Sequence, residues 1–107
     1  MQPCRDALIR WTLVGLALVG FTWTATPSVF WLDSSELAVA GTILGIPHAP
    51  GHPLYVVLAH IASLLPIGSV GFRIAFLSAL LGALCVGLVY DLACDLIGVV
   101  DGKANAR

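Results

Sequence analysis

Two short stretches of this chain hold most of the side chains that could do chemistry. W-L-D-S-S-E, from Trp31 to Glu36, sets Asp33 and Glu36 three residues apart, and G-I-P-H-A-P-G-H-P-L-Y, from Gly45 to Tyr55, adds His48 and His52. A carboxylate in such a place can act as a general base toward a hydroxyl or hold a divalent cation. Pro47, Pro50 and Pro53 fix φ three times and Gly51 permits a sharp turn, so both histidines sit on a stiff strap suited to phosphate or sugar binding. A zinc site made by this pair alone is not expected, because residues four apart share a face only on a helix, which the prolines forbid.

A purely structural reading stands beside the chemical one. Asp33 and Glu36 precede L-A-V-A-G-T-I-L-G, the form of a helix start with an acid at the N-cap and Glu at N3, and a short helix ending near Gly41 or Gly45 would use both without catalysis. Leu37, Ala38, Ala40, Ile43 and Leu44 leave that helix little polar face, which suits a membrane interface or a cover of other helices. His60 reads as a buried hydrogen-bonding residue rather than a ligand, and Asp91 and Asp95, at the outer end of the last helix, as the mark of where lipid ends.

Composition sets the surroundings of these groups. Of 107 residues, 59% are hydrophobic and only 10% charged, and the mean hydropathy is +0.98, too apolar for a soluble domain and suited to a bilayer. The net charge of -1, with no cationic cluster, excludes nucleic acid as a partner. The three cysteines, Cys4, Cys85 and Cys94, fit no metal spacing and imply no disulfide framework.

The expected architecture is an all-α membrane protein, a single unit over residues 1–107 with about three transmembrane helices. Helix 1 is placed at about 8–26, an outward-facing loop with a short interfacial helix at 27–53, helix 2 at about 53–66 and helix 3 at about 72–98. Helix 2 is the weakest, since twelve apolar residues rise only about 18 Å against the roughly 30 Å of a hydrocarbon core. No Lys or Arg occurs between Trp11 and Phe72, and Arg73 then opens helix 3, so the positive-inside rule suggests an in-out-in-out path with a cytosolic N-terminus. Ala75, Ala79, Ala83 and Gly87 recur every fourth residue, a ridge along which another helix can approach closely.

The order D-S-x-E, then G-I-x-H-x-P-G-x-P-L-Y, then His60 with S-L-L-P, then F-R-I-x-x-L-S-A-L-L-G-A-L resembles the start of the polytopic transmembrane protein O-mannosyltransferase-like family. The resemblance covers roughly Thr26 to Tyr90 and implies a retained first helix and the N-terminal part of a GT-C fold. Leu32, Ser35, Ala49 and Ala75 stand where that family usually has Trp, Gly, Pro and Asn.

By this resemblance, the chain is the N-terminal portion of an integral membrane glycosyltransferase, incomplete as it stands. Such enzymes move a sugar from a polyprenyl-phosphate carrier to an acceptor hydroxyl on the outer or lumenal face. Asp33 and Glu36 are the implied catalytic residues, with Asp33 as general base and Glu36 supporting it; His48, His52 and Tyr55 are the implied substrate-binding residues. No cofactor is expected apart from a divalent cation that the acids can hold. The implied partners are the lipid bilayer, the polyprenyl-phosphate-linked sugar and a further membrane chain able to complete the fold. The implied location is the cell membrane in a bacterium or the endoplasmic reticulum in a eukaryote. The alternative is a non-catalytic small membrane protein that packs in a larger complex; a transporter fragment is a third reading, disfavoured by the lack of internal symmetry.

Overall fold

A computed structural model describes residues 6–25, 33–49 and 51–100. Trp31, Leu32 and Pro50 of the two motifs, Cys4, and the Asp101 to Arg107 tail lie outside the described residues. The described chain is all-helical: α1 (Ala7–Thr24), α2 (Asp33–Ile43), α3 (Pro53–Ser63) and α4 (Val70–Val100).

Local chemistry explains most of the helix ends. Asp6 caps α1, its carboxylate accepting from the Leu8 N–H at 3.0 Å and its carbonyl from the Arg10 N–H at 3.1 Å. Ser69 does the same for α4, through its hydroxyl to Phe72 N–H and its carbonyl to Arg73 N–H. α2 ends at Ile43, two residues before Gly45, one of the two glycines that the sequence suggested as its stop. Leu44 takes the left-handed conformation, φ 52°, and Gly45 N–H closes back on the Ala40 carbonyl at 2.9 Å, the six-to-one bond of a Schellman turn. α3 begins with Pro53 at its first position, where a missing N–H costs nothing.

α1 and α4 are long and apolar enough to cross a membrane, with 18 and 31 residues. α3 is apolar but only 11 residues long, a rise of about 16 Å. About three spans were expected; among the described residues, two helices have the length for it.

The chain divides into two compact units, residues 1–21 with 80–107, and residues 22–79. In the first, α1 runs antiparallel to the later part of α4. Arg10 donates to Asp91 at 3.0 Å, Val14 lies so close to Gly87 that a Cβ there would meet it at 2.8 Å, and Phe21 packs on Gly82. Ala83 and Gly87, on the ridge of small residues read from the sequence, are buried. Asp91 is therefore the ionic partner of Arg10, whereas the in-out-in-out path sets these two residues on opposite sides of the membrane.

In the second unit, α2 packs against α3 and the start of α4 around Ala38, Ala59 and Ile74, flanked by Tyr55 and Leu77. Ala59 is fully buried, and a Cβ on Gly41 would come within 2.7 Å of the Ala59 Cβ. At this crossing His60 Nδ1 is 2.9 Å from the Gly41 carbonyl; His60 has the hydrogen-bonding role read for it, but its side chain is half-buried rather than buried. Arg73 ties the α3–α4 turn, donating from Nε to the Ile67 carbonyl, from Nη1 to that of Ser63 and from Nη2 to that of Gly68.

Bulk at the crossing has no room. Gly41→Leu is expected to destabilise the second unit by about 1–3 kcal/mol through overpacking. Gly15→Ala, where nothing lies within 4 Å, should leave the fold intact and strengthen α1 by about 0.5–1 kcal/mol. Helix loss on denaturant titration in detergent, followed by circular dichroism, separates the two.

Candidate functional site

The acidic pair and the first strap histidine meet in space. Asp33 is the first residue of α2 and Glu36 lies one turn on, both exposed. The strap from Leu44 to His52 brings His48 back over that turn, where Glu36 accepts two hydrogen bonds from it. The His48 backbone N–H reaches Oε1 at 2.6 Å and its ring Nδ1 lies 2.9 Å from Oε2. The carboxylate that the sequence offered as half of a capping box is thus turned toward the strap.

The electrostatics follow from this contact. The hydrogen bonds from the His48 ring and then its backbone N–H hold the Glu36 carboxyl below its usual range. The Glu36 hydrogen bond and charge, with a smaller contribution from Asp33, raise the His48 imidazole above its usual range. Protonated His48 donates from Nδ1 to Glu36, which leaves Nε2 as a second donor.

His52 stands beside this pair, its ring 6.1 Å from that of His48 in an edge-on arrangement. It is left-handed, φ 39°, immediately before Pro53, a place where sterics favour extended backbone. Gly51, at φ 87°, precedes it, and its N–H bonds the His48 carbonyl at 2.9 Å. The bend that presents the two imidazoles together thus holds a non-glycine residue in a sparsely populated conformation, of the kind that collects at functional sites.

Tyr55 is set apart from this group. Its hydroxyl lies 2.9 Å from Ser78 Oγ on α4, so it fastens α3 to α4. A cavity of about 440 Å³ opens beside Glu36, bounded by Ser35 and Glu36 and by apolar groups of Val39, Ala40, Ile43, Ile46 and Pro47. Ligand atoms of Asp33, Glu36 and His48 lie within 4.8 Å of one another. They are the donor set a divalent cation could use, in competition with His48 for Glu36.

Sequence reasoning passed over Arg73 as the clamp of the turn, Ser78 as the partner of Tyr55, and Arg10 with Asp91 as an ion pair. Scarcity was the available signal: with five cationic residues in the chain, an arginine beside an apolar run needs a partner.

The Glu36–His48 contact has a pH window. Its contribution from Glu36 is present above 4.5, the ordinary value, and is lost as pH falls through the lowered one. Its contribution from His48 is present below 6.5 and is lost as pH rises through the raised one. The strap should be best ordered between these limits. In Glu36→Gln the His48 ring should titrate closer to its ordinary value, as read by NMR of the ring carbons; an unchanged titration would show that the contact does not form.

Comparison with known proteins comes to the same segment. The family described as "Protein O-mannosyl-transferase TMEM260 N-terminal domain" matches residues 33–107, beginning at Asp33 and including Glu36, His48, His52 and Tyr55. The mouse protein O-mannosyl-transferase TMEM260 is 37% identical over 91 residues, which are 82% of this chain and 13% of that protein. The Dictyostelium discoideum protein O-mannosyl-transferase tmem260 is 34% identical over 73 residues, 65% of this chain and 9% of its own length. No solved structure matches. The chain spans about an eighth or less of these relatives, and the resemblance seen in its motifs is borne out: it belongs to the family of the protein O-mannosyl-transferase TMEM260 N-terminal domain.

Proposed function

We propose that this chain is the N-terminal part of an integral membrane O-mannosyltransferase and supplies its acceptor-activating corner. The observation that carries the reading is the meeting of Asp33, Glu36 and His48 within 4.8 Å, beside an apolar cavity, in a segment matched by a family named for O-mannosyl transfer. α1 and α4 are the membrane spans; their apolar faces are largely unburied within the chain, as lipid-facing helices are.

Asp33 is the general base. It takes the proton of an acceptor hydroxyl as that oxygen bonds to the anomeric carbon of a mannose carried on a polyprenyl phosphate. The bond from that carbon to the phosphate oxygen breaks, its electron pair leaves with the phosphate, and the acceptor proton rests on Asp33. Charge grows on the leaving oxygen, and His48 and His52 donate to it. Glu36 keeps the His48 ring protonated and aimed. The apolar cavity suits the first isoprene units of such a carrier. A divalent cation on Asp33, Glu36 and His48 would serve the same leaving group, at the expense of the Glu36–His48 bond. The remainder of the carrier site, the acceptor site and Tyr55's contact with substrate belong to the assembled enzyme.

The test is Asp33→Asn in the active, assembled enzyme, assayed with a polyprenyl-phosphate mannose donor. Transfer should fall by about two to four orders of magnitude while the protein remains in the membrane fraction. Retained transfer would remove Asp33 as the base. If, in addition, bulky residues at Ala79 or Ala83 abolished assembly, the packing-protein reading would take its place.

A further inference from the structure

The cavity beside Glu36 has two unlike walls. One is helical: Glu36, Val39, Ala40 and Ile43 recur every three or four residues along α2. The other is the first part of the strap, Gly45, Ile46 and Pro47, an irregular stretch outside any helix. A helical wall keeps its shape because each turn is bonded to the next, whereas an irregular one keeps its place through whatever holds its ends.

The two ends are held differently. At the near end Leu44 is left-handed, φ 52°, and the Gly45 N–H is bonded to the Ala40 carbonyl at 2.9 Å, so the wall starts from a fixed helix end. Leu44 suits a hinge, because leaving the left-handed region releases strain in a non-glycine residue. At the far end the His48 backbone N–H and ring Nδ1 both meet the Glu36 carboxylate, at 2.6 and 2.9 Å. Glu36 belongs to the opposite wall, and its carboxylate bridges the two. Both partners are exposed, and an exposed ion pair exchanges readily with water. Between these ends Pro47 is buried, which makes the closed wall the resting state, while Ile46 is 93% exposed and adds little to holding it there.

We propose that the stretch at residues 45–48 is a hinged wall of this cavity and that Glu36 is its catch. The wall swings out at Leu44 and Gly45 to admit an apolar chain, then closes over it and returns His48 to Glu36. A chain seated in the cavity touches both walls when the wall is shut and α2 alone when it is open, so occupancy favours the closed state by that difference. This rests on the reading of the cavity as the place of a carrier's first isoprene units, and it adds an order of events. The chain seats first, the catch engages, and the His48 ring is then held in place for the phosphate.

The test is amide hydrogen exchange, followed by NMR on the full chain in phosphatidylcholine nanodiscs, with the Gly45 N–H reporting on the hinge and the His48 N–H on the catch. Glu36→Ala should speed exchange at His48 about tenfold and leave Gly45 unchanged. Equal acceleration at both would mean that the end of α2 unravels, and none at His48 that Glu36 is not the catch; either overturns the proposal. Added to the unsubstituted chain, farnesyl phosphate should slow exchange at His48 several-fold, and inorganic phosphate at the same concentration should not. No effect of farnesyl phosphate, or an equal effect of phosphate alone, would show that filling the cavity does not close the wall and would overturn the proposal as well. Neither measurement involves sugar transfer or alters Asp33, so the wall can fail while Asp33 stands as the base, and the base can fail while the wall stands.

Discussion

The close crossing of α2 over α3 is the constraint on which the candidate site depends. Gly41 and Ala59 approach so nearly that even a methyl group on Gly41 would collide, and the His60 ring and the Gly41 carbonyl hydrogen-bond at the same point. The strap joins the two helices at this end, so its closure is set by how near they come. With larger residues the helices would separate by the width of a side chain, and the 2.6 and 2.9 Å bonds between Glu36 and His48 could not both be made. Small residues in the packing layer thus determine a polar contact that they do not touch.

That polar contact divides labour between two carboxylates only three residues apart. Glu36 is engaged through both oxygens, on the backbone and the ring of His48, and acts on its surroundings through that ring. Asp33, at the exposed start of the helix, stands outside both bonds. A general base needs an oxygen able to approach a substrate hydroxyl, and an imidazole that meets a leaving phosphate needs a fixed tautomer and a charge. In the proposed mechanism these requirements fall to separate residues, with Glu36 a positioning rather than a catalytic residue.

The sequence was informative where structure is local. The all-helical class, the apolar helices, the proline-stiffened strap and the structural use of His60 follow from hydropathy, from fixed φ angles and from the cost of burying an imidazole. It was less informative where two distant segments decide the outcome. α3 reads as a weak span in a linear scan, yet it is a short helix packed on α2, and nothing in its own periodicity states the direction of α4. The antiparallel pairing needs Arg10 and Asp91 together, eighty-one positions apart. Leu44 shows the same limit on a small scale: glycine is the usual left-handed stop, but here the leucine before the glycine takes that conformation.

Scarcity of charge gives the remaining link between fold and chemistry. Where little of a surface is polar, each charged group must be paired, turned to an interface or used, because leaving it bare in apolar surroundings is costly. Arg10 and Asp91 fix the register of two apolar helices, a task their nonspecific packing could not perform alone. Arg73 uses all three guanidinium nitrogens on carbonyls at the end of α3 and in the following turn, where a helix leaves its last carbonyls without internal partners. The strap cluster differs from both. Its carboxylates and imidazole are exposed at the start of a helix, and Glu36 and His48 favour each other's charged form. Charges concentrated there, in a chain with few to spare, are what the proposed site draws on.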